Sequence, residues 1–395
     1  MFEHLTAAPP DPILGITDAF NRDSNPEKIN LSVGVYQDAN GKTPVLQSVK
    51  RAEQILLETE KTKNYLGIDG LATYREHVRR LLFGEEIPAE RVAILQTPGG
   101  TGGVRLAAEF LAHASPHAKV WYSNPTWANH GAIFQAAKLE TDVYPYLNAT
   151  RTGLDFDALF ETLSARARPG DAVLLHACCH NPTGIDPNAE QWHALAGLMH
   201  QKGLLPIVDF AYQGFGRGLD ADRMGLQVLS RVCPELLVAS SFSKNFGLYS
   251  ERVGAMALVG ATAESANVGM SQLKRIVRTL YSNPPRHGAS IVSEILGNEE
   301  LVELWRRELD EMRGRIAQMR REFVATMATL RPEYDFSFLL DQLGMFSYSG
   351  LTPLQVDRLK NEYSLYIVGT GRINVAGLTP GNLGKVCAAI GTVLD

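Results

Sequence analysis

The chain has 395 residues, 45% of them apolar and 21% charged, and a formal net charge of −5. At about 150 residues per domain this length expects two or three domains. The mild negative balance gives no electrostatic reason to expect nucleic acid or an anionic membrane as partner. Four cysteines make no disulfide framework.

In chain order, the opening MFEHLTAAPPDPILGITDAF lacks a basic stretch followed by a long apolar run, so a cytoplasmic protein without a secretory signal is expected. No run reaches the ~18–20 apolar residues of a membrane span. Pro9, Pro10 and Pro12 bound a segment suited to lie as an extended arm on a neighbour, and KINLSVGVYQDANGKTP (28–44) reads as a strand with a turn at ANGK. From residue 91 short apolar runs alternate with helical patterns: RVAILQT, then GGVRLAAEFLAHA; AKVWYS, then HGAIFQAAKL; AVLLHAC, then AEQWHALAGLMHQKG; then LLPIVDFAY and LLVASSFS. This alternation predicts an α/β fold with a mostly parallel sheet wrapped by helices, whose ligands gather at the carboxyl ends of the strands. After Asn298, apolar residues recur at steps of three and four from Leu301 to Leu330. That spacing predicts one amphipathic helix ended by Pro332, ~45 Å long, which serves either as a strut into a second domain or as a plain surface helix.

Chemistry concentrates at four places. In LQTPGGTGGVR (95–105) a strand feeds Gly99, Gly100, Thr101 and Gly102, a turn opening into a helix, where free N–H groups would face an anion. The spacing fits neither the dinucleotide fingerprint nor the P-loop, and a tight strand-to-helix turn is the plainer alternative. Asp209 ends an apolar run with Tyr212 three residues on; it is either a solvated strand end or a carboxylate needing a cationic partner. Around LLHACCHNPTGIDP (174–187), His176, Cys178, Cys179 and His180 match no zinc spacing, and adjacent cysteines on a strand point to opposite faces, so no metal is expected. The Asn181–Pro182 step makes a rigid turn able to aim an amide. In SSFSKNFGLYSERVG (240–254), Lys244 sits among serines between two apolar runs, with Arg252 eight residues on. Making a free lysine neutral at pH 7 would take ~3.4 units, roughly 4 to 5 kcal/mol. A Schiff base with an aldehyde cofactor removes that demand. A pyridoxal phosphate tethered to Lys244, with Asp209 on its ring nitrogen and Gly100, Thr101, Ser241, Ser243 and Arg252 on its phosphate, uses every one of these groups.

NYLGIDGL, TPGGTGGVR, NPTWANH, HNPTGIDP, IVDFAYQGFG, SFSKNFGLYSERVG and GRINVAGL, in this order, closely resemble the fold-type I, class I pyridoxal-phosphate aminotransferases, in particular the aspartate and aromatic branch. The resemblance spans essentially the whole chain. It implies a three-layer α/β/α large domain (residues 45–310) and a smaller α/β domain built from the N-terminal segment (1–44) and residues 311–395. It implies that Lys244 carries pyridoxal 5′-phosphate as an internal aldimine and shuttles the proton. It further implies Asp209 on the ring nitrogen with His130 behind it, Tyr212 and Asn181 on the ring hydroxyl, and Trp127 stacked on the ring. Gly100, Thr101, Ser241, Ser243 and Arg252 hold the phosphate, joined by Tyr65 from the partner of a homodimer. Arg372 and Gly34 bind the substrate α-carboxylate, alongside Trp127 and Asn181, and Arg278 of the second subunit binds the distal carboxylate.

Val35, Thr43, Asn64, Thr101 and Asn283 resemble the aspartate-specific set, whereas Gln37 and Leu280 depart toward a less charged or less polar neighbourhood. The expected activity is transfer of an amino group from aspartate to 2-oxoglutarate, with aromatic amino acids as the alternative donors. A different reaction of the same cofactor and a catalytically silent binding module are the rival classes. Arg278 argues against a simple decarboxylase, and the retained Lys244 against a silent module.

Overall fold

The computed structural model describes residues 2–7 and 14–395; the segment with Pro9, Pro10 and Pro12 lies outside the described residues. The chain runs α1 (Leu14–Arg22), β1 (Ile29–Asn30), α2 (Gln47–Thr59), α3 (Ala72–Phe83), β2 (Val92–Pro98), α4 (Gly99–Ala114), β3 (Lys119–Asn124), α5 (Asn129–Ala136) and β4 (Glu140–Pro145). There follow α6 (Phe156–Arg166), β5 (Ala172–His176), α7 (Ala189–Lys202), β6 (Leu205–Phe210), α8 (Met224–Val232), β7 (Leu236–Ser241) and β8 (Val253–Val259). Next come α9 (Ala263–Leu280), α10 (His287–Gly297), α11 (Glu299–Leu330), β9 (Phe346–Tyr348), α12 (Pro353–Tyr363), β10 (Leu365–Tyr366), β11 (Arg372–Asn374) and α13 (Leu383–Val393).

Seven strands form one sheet in the order β2-β8-β7-β6-β5-β3-β4. All neighbours are parallel except β8, which is antiparallel to both β2 and β7. Strands β5, β7 and β8 are buried at every residue, as a sheet covered on both faces requires. Alternate residues feed two cores. Leu95, Val120 and Ile207 pack with Val104 and Leu111 of α4 on one face. Ile94, Trp121 and Val208 pack on the other, with residues of α2, α3, α7, α8, α10 and α11. The expected three layers and mostly parallel sheet are present.

The antiparallel β8 positions the site. Because Val253 pairs with Pro98, the start of β8 lies at the same sheet edge as the end of β2, and the carboxyl ends of β6 and β7 lie there too. Gly254 pairs with Thr97 and Ser241, and a Cβ on it would stand 2.4 Å from the Gly99 carbonyl carbon.

The expected long helix is α11, 32 residues. Asn298 caps it by accepting from the N–H groups of Glu300 and Leu301, and Glu299 and Glu300 suit the positive end of its dipole. Its first half buries Trp305, which stacks on Phe246 at 4.4 Å and donates Nε1–H to Asn245 O at 2.7 Å. Its second half packs against α13 and against the turn Val375–Gly377. Arg320 in that half donates to Ser347 Oγ and Phe346 O of β9, which pairs antiparallel with β11; a second small sheet pairs β1 parallel to β10.

Two local expectations are corrected. Of the strand expected in 28–44, only Ile29 and Asn30 form a ladder; Leu31 adds single backbone bonds to Tyr366 O and from Asn374 N, and beyond it side chains interrupt the pairing, Asn374 Nδ2 donating to Val33 O and Val35 O and Tyr36 N donating to Tyr249 Oη. The glycine run is not a loop. Helix α4 starts at Gly99 itself (φ +74), so Gly100, Thr101 and Gly102 are its first turn.

Gly254→Ala should lower stability by about 1–3 kcal/mol, read as a shift of the denaturant midpoint, since the obstructing atoms are backbone and cannot rotate away.

Candidate active site

A cavity of about 430 Å³ opens at the carboxyl edge of the sheet, lined by Gly34, Gly100, Thr101, Trp127, Asn181, Asp209, Ala211, Tyr212, Ser241, Ser243, Lys244, Tyr249, Arg252, Phe346 and Arg372. Most of the expected residues thus converge from seven segments of the chain. Tyr65 and Arg278 do not line it. Tyr65 is 92% exposed, and Arg278, exposed in the last turn of α9, donates to Ser282 Oγ at 2.6 Å. His130 is fully buried behind the cavity wall.

Lys244 lies between β7 and β8, keeping part of its surface toward the cavity, with Nζ 4.9 Å from the Tyr212 ring centroid. Burial pushes its pKa down; Asp209 opposes this, and Arg252 and Arg372 add to it. Asp209 is the penultimate residue of β6, paired with His176 and Ala239. Burial would raise its pKa, but the hydrogen bond and field of His130, with smaller contributions from His176 and Lys244, win, and the carboxyl is held below its usual range. As the carboxylate only accepts, His130 Nε2 donates to Asp209 Oδ2 at 3.0 Å, and its Nδ1 is hydrogen-bonded with Thr126 Oγ1 at 2.8 Å.

At one end, Ser241, Ser243, Arg252 and the first turn of α4 form a cup. Arg252 (φ +55) donates to Ser243 Oγ at 3.3 Å and to Tyr249 O at 2.9 Å. A Cβ on Gly99 would meet Arg252 Nη2 at 2.3 Å, and one on Gly100 would meet Ser241 Cβ at 2.8 Å. Only glycine lets the helix end, the serine and the guanidinium approach this closely. At the other end Arg372 is 4% exposed and lies 4.2 Å over the Phe346 ring. It donates to Asn181 Oδ1 at 3.3 Å and to Ser32 O, its Nε has no partner, and it forms no salt bridge among the described residues. Burial pushes its pKa down to about 10. A buried guanidinium without an acid is a receptor for a carboxylate. Asn181 Nδ2 also donates to Tyr212 Oη at 3.4 Å.

The cysteine argument fails locally. Strand β5 ends at His176, and Cys179 (φ +50) turns the chain, so the thiols of Cys178 and Cys179 and a carboxylate oxygen of Asp222 lie within 4.8 Å of one another. Burial pushes both thiols up, Cys179 to about 11, and Asp222 already accepts from the N–H groups of Gly214, Gly216 and Arg217. His130, His176 and Asp209 form a second such group, in which burial takes His176 down to about 3.

The family described as aminotransferase class I and II matches residues 26–390. The aspartate aminotransferase of Salmonella typhi is 55% identical, with all of both chains covered. The aromatic-amino-acid aminotransferase of Pseudomonas aeruginosa is 45% identical over 99% of this chain and 98% of its own. The solved aromatic-amino-acid aminotransferase of Burkholderia pseudomallei, covalently bound to pyridoxal phosphate, superimposes with a TM-score of 0.97 at 46% identity, covering all of both chains. The chain belongs to the class I and II aminotransferases.

Three cavity residues of this aminotransferase were given no role by the sequence: Ala211 and Tyr249, which stand inside IVDFAYQGFG and SFSKNFGLYSERVG, and Phe346. Tyr249 stands on the loop between Lys244 and Arg252, which was the available clue. Phe346 arrives from β9, and no local pattern connects it to the site.

With no small-molecule ligand added, acetylation of Lys244 should be half-maximal below the ~10.4 of an ordinary lysine. Asp209→Asn should move that point lower still, because it removes the contact favouring the ammonium; an upward move would contradict the electrostatic account. Peptide mapping across a pH series reads both.

Proposed function

We propose that this aminotransferase is an aspartate aminotransferase, moving the amino group of L-aspartate to 2-oxoglutarate to give oxaloacetate and L-glutamate, with pyridoxal 5′-phosphate held covalently on Lys244. The observation that carries the reading is one cavity holding a lysine over a tyrosine ring, a backed carboxylate, and two arginines that have no acidic partners among the described residues.

The residues present fit the cofactor. The cup of Ser241, Ser243, Arg252 and the α4 turn, kept open by Gly99 and Gly100, suits a phosphate. Trp127 offers a ring face, and Tyr212 and Asn181 offer hydrogen bonds for a ring hydroxyl. When bound, the cofactor supplies an electron sink that lets an amino group be accepted from one substrate and returned to a second.

The remaining work belongs to the chain. Asp209, oriented by His130, keeps the ring nitrogen protonated. Lys244, whose burial favours a neutral amine, moves the proton between the substrate Cα and the cofactor C4′. Arg372, with Gly34 beside it, binds the α-carboxylate. Relatives named aspartate aminotransferase at 55% identity support the dicarboxylate substrates. An aromatic or broad specificity is the second reading, favoured by Leu280, 39% exposed and two residues from Arg278, and by the similar aromatic enzymes.

On the same reading the large domain spans about residues 45–310 and the small one 1–44 with 311–395, the boundary falling inside α11. Pairing of β1 with β10 and of Leu31 N with Tyr366 O supports joining the N-terminal segment to the C-terminal one. The exposure of Tyr65 and Arg278 supports a homodimer in which each reaches the other subunit's site. We place the protein in the cytoplasm; no helix among the described residues is long and apolar enough to cross a membrane.

Turnover of aspartate with 2-oxoglutarate, followed as oxaloacetate, tests the activity, and borohydride reduction should leave a pyridoxyl group on Lys244. No turnover of any amino acid and no such label would refute it. Arg278→Leu should cost dicarboxylate kcat/KM about ten- to a hundredfold and spare phenylalanine. An equal loss for both would make its role structural. Mixed dimers of Arg278→Leu and Lys244→Ala chains should regain dicarboxylate turnover, each supplying what the other lacks.

A further inference from the structure

Arg315 stands midway along α11, half-buried, and forms no salt bridge among the described residues. Its donors go to main chain and one phenol. Nε donates to Tyr36 Oη at 3.1 Å, Nη1 to Leu378 O at 2.8 Å, and Nη2 to Ala376 O at 2.7 Å and to Gln37 O. The guanidinium also lies 5.0 Å over the Tyr36 ring. One planar fork therefore straps residues 36–37 and 376–378 to the helix, a geometry that an ammonium cannot reproduce.

The strapped segments are bonded to each other. Gln37 N donates to Ala376 O at 3.1 Å, and Asn374 Nδ2 donates to Val33 O at 2.7 Å and Val35 O at 2.8 Å, on either side of Gly34. Arg372, two residues before Asn374, donates to Ser32 O. Gly34 and Arg372 thus belong to one unit. The same helix grips the other side of the site, since Trp305, ten residues before Arg315 or about 15 Å along the axis, donates to Asn245 O next to Lys244.

We infer that Arg315 is the positioning residue of the carboxylate-binding unit: it sets where Gly34 and Arg372 stand relative to Lys244. This rests on the reading of Gly34 and Arg372 as the clamp for the substrate α-carboxylate. Small displacements of such a clamp weaken binding because a guanidinium grips a carboxylate through two N–H···O bonds that need one relative geometry.

The test uses holoenzyme carrying Arg315→Lys and, separately, Tyr36→Phe. Arg315→Lys should raise KM for both substrates about tenfold with kcat within about threefold. Succinate, a carboxylate probe without an amino group, should bind more weakly by a similar factor in calorimetry. Amide hydrogen exchange should accelerate in 32–37 and 374–378 but not in 241–252, and the pH titration of the bound cofactor's absorbance should stay put. Tyr36→Phe should move the same readouts less; if Arg315→Lys does not fold, an unchanged succinate affinity in Tyr36→Phe overturns the inference. Unchanged succinate affinity in Arg315→Lys, or a loss confined to kcat, also overturns it. Arg372→Lys separates the levels: if it too leaves succinate binding unchanged, the clamp reading itself fails, and if it alone weakens binding, only the role of Arg315 is lost.

Discussion

An excess of positive charge around one cavity is the constraint from which the site follows. Buried Arg372, half-buried Lys244 and exposed Arg252 share one cavity in which, among the described residues, Asp209 is the single carboxylate. Removing cations from water without partners is unfavourable, and the lowered pKa values of Lys244 and Arg372 express that cost. A ligand bearing a phosphate at one end and a carboxylate at the other relieves it at both ends. Asp209 escapes the opposite fate, protonation by burial, because His130 stands behind it.

Sheet topology decides where these charges meet. In a purely parallel sheet the residue before a strand and the residue after its neighbour lie at opposite edges. Reversing β8 brings Arg252 to the edge where β2 ends and α4 begins, and lets the short connection from β7 carry Ser243 and Lys244 between them. The close approach this imposes explains the glycines at 99, 100 and 254, each of which would collide with a neighbour if it carried a Cβ. Helix α11 then spans from the loop holding Lys244 to the segments holding Gly34 and Arg372.

What was legible in the chain was what sits beside a regular element. Asp209, Ser241, Lys244 and Arg252 flank strands whose apolar runs are evident, and α11 shows its period from Leu301 to Leu330. What depends on convergence was not legible. Tyr36 and Tyr249 meet across 213 positions, Phe346 enters from a three-residue strand, and Arg315 resembles any exposed arginine on an amphipathic helix. The expected strand in 28–44 failed for a related reason: its apolar alternation is real, but side chains of Asn374 and Tyr249 satisfy its backbone where a neighbouring strand was expected.

Arg315 recognises carbonyl oxygens, which every amino acid carries, and those of Gln37, Ala376 and Leu378 are held without regard to what their side chains are. The side chains of Val35, next to Gly34, and of Gln37 are therefore uncoupled from the backbone bonds that aim the clamp. Substitutions there can retune which side chain a substrate presents without disturbing how its backbone end is gripped, so selectivity and alignment are free to evolve as separate traits.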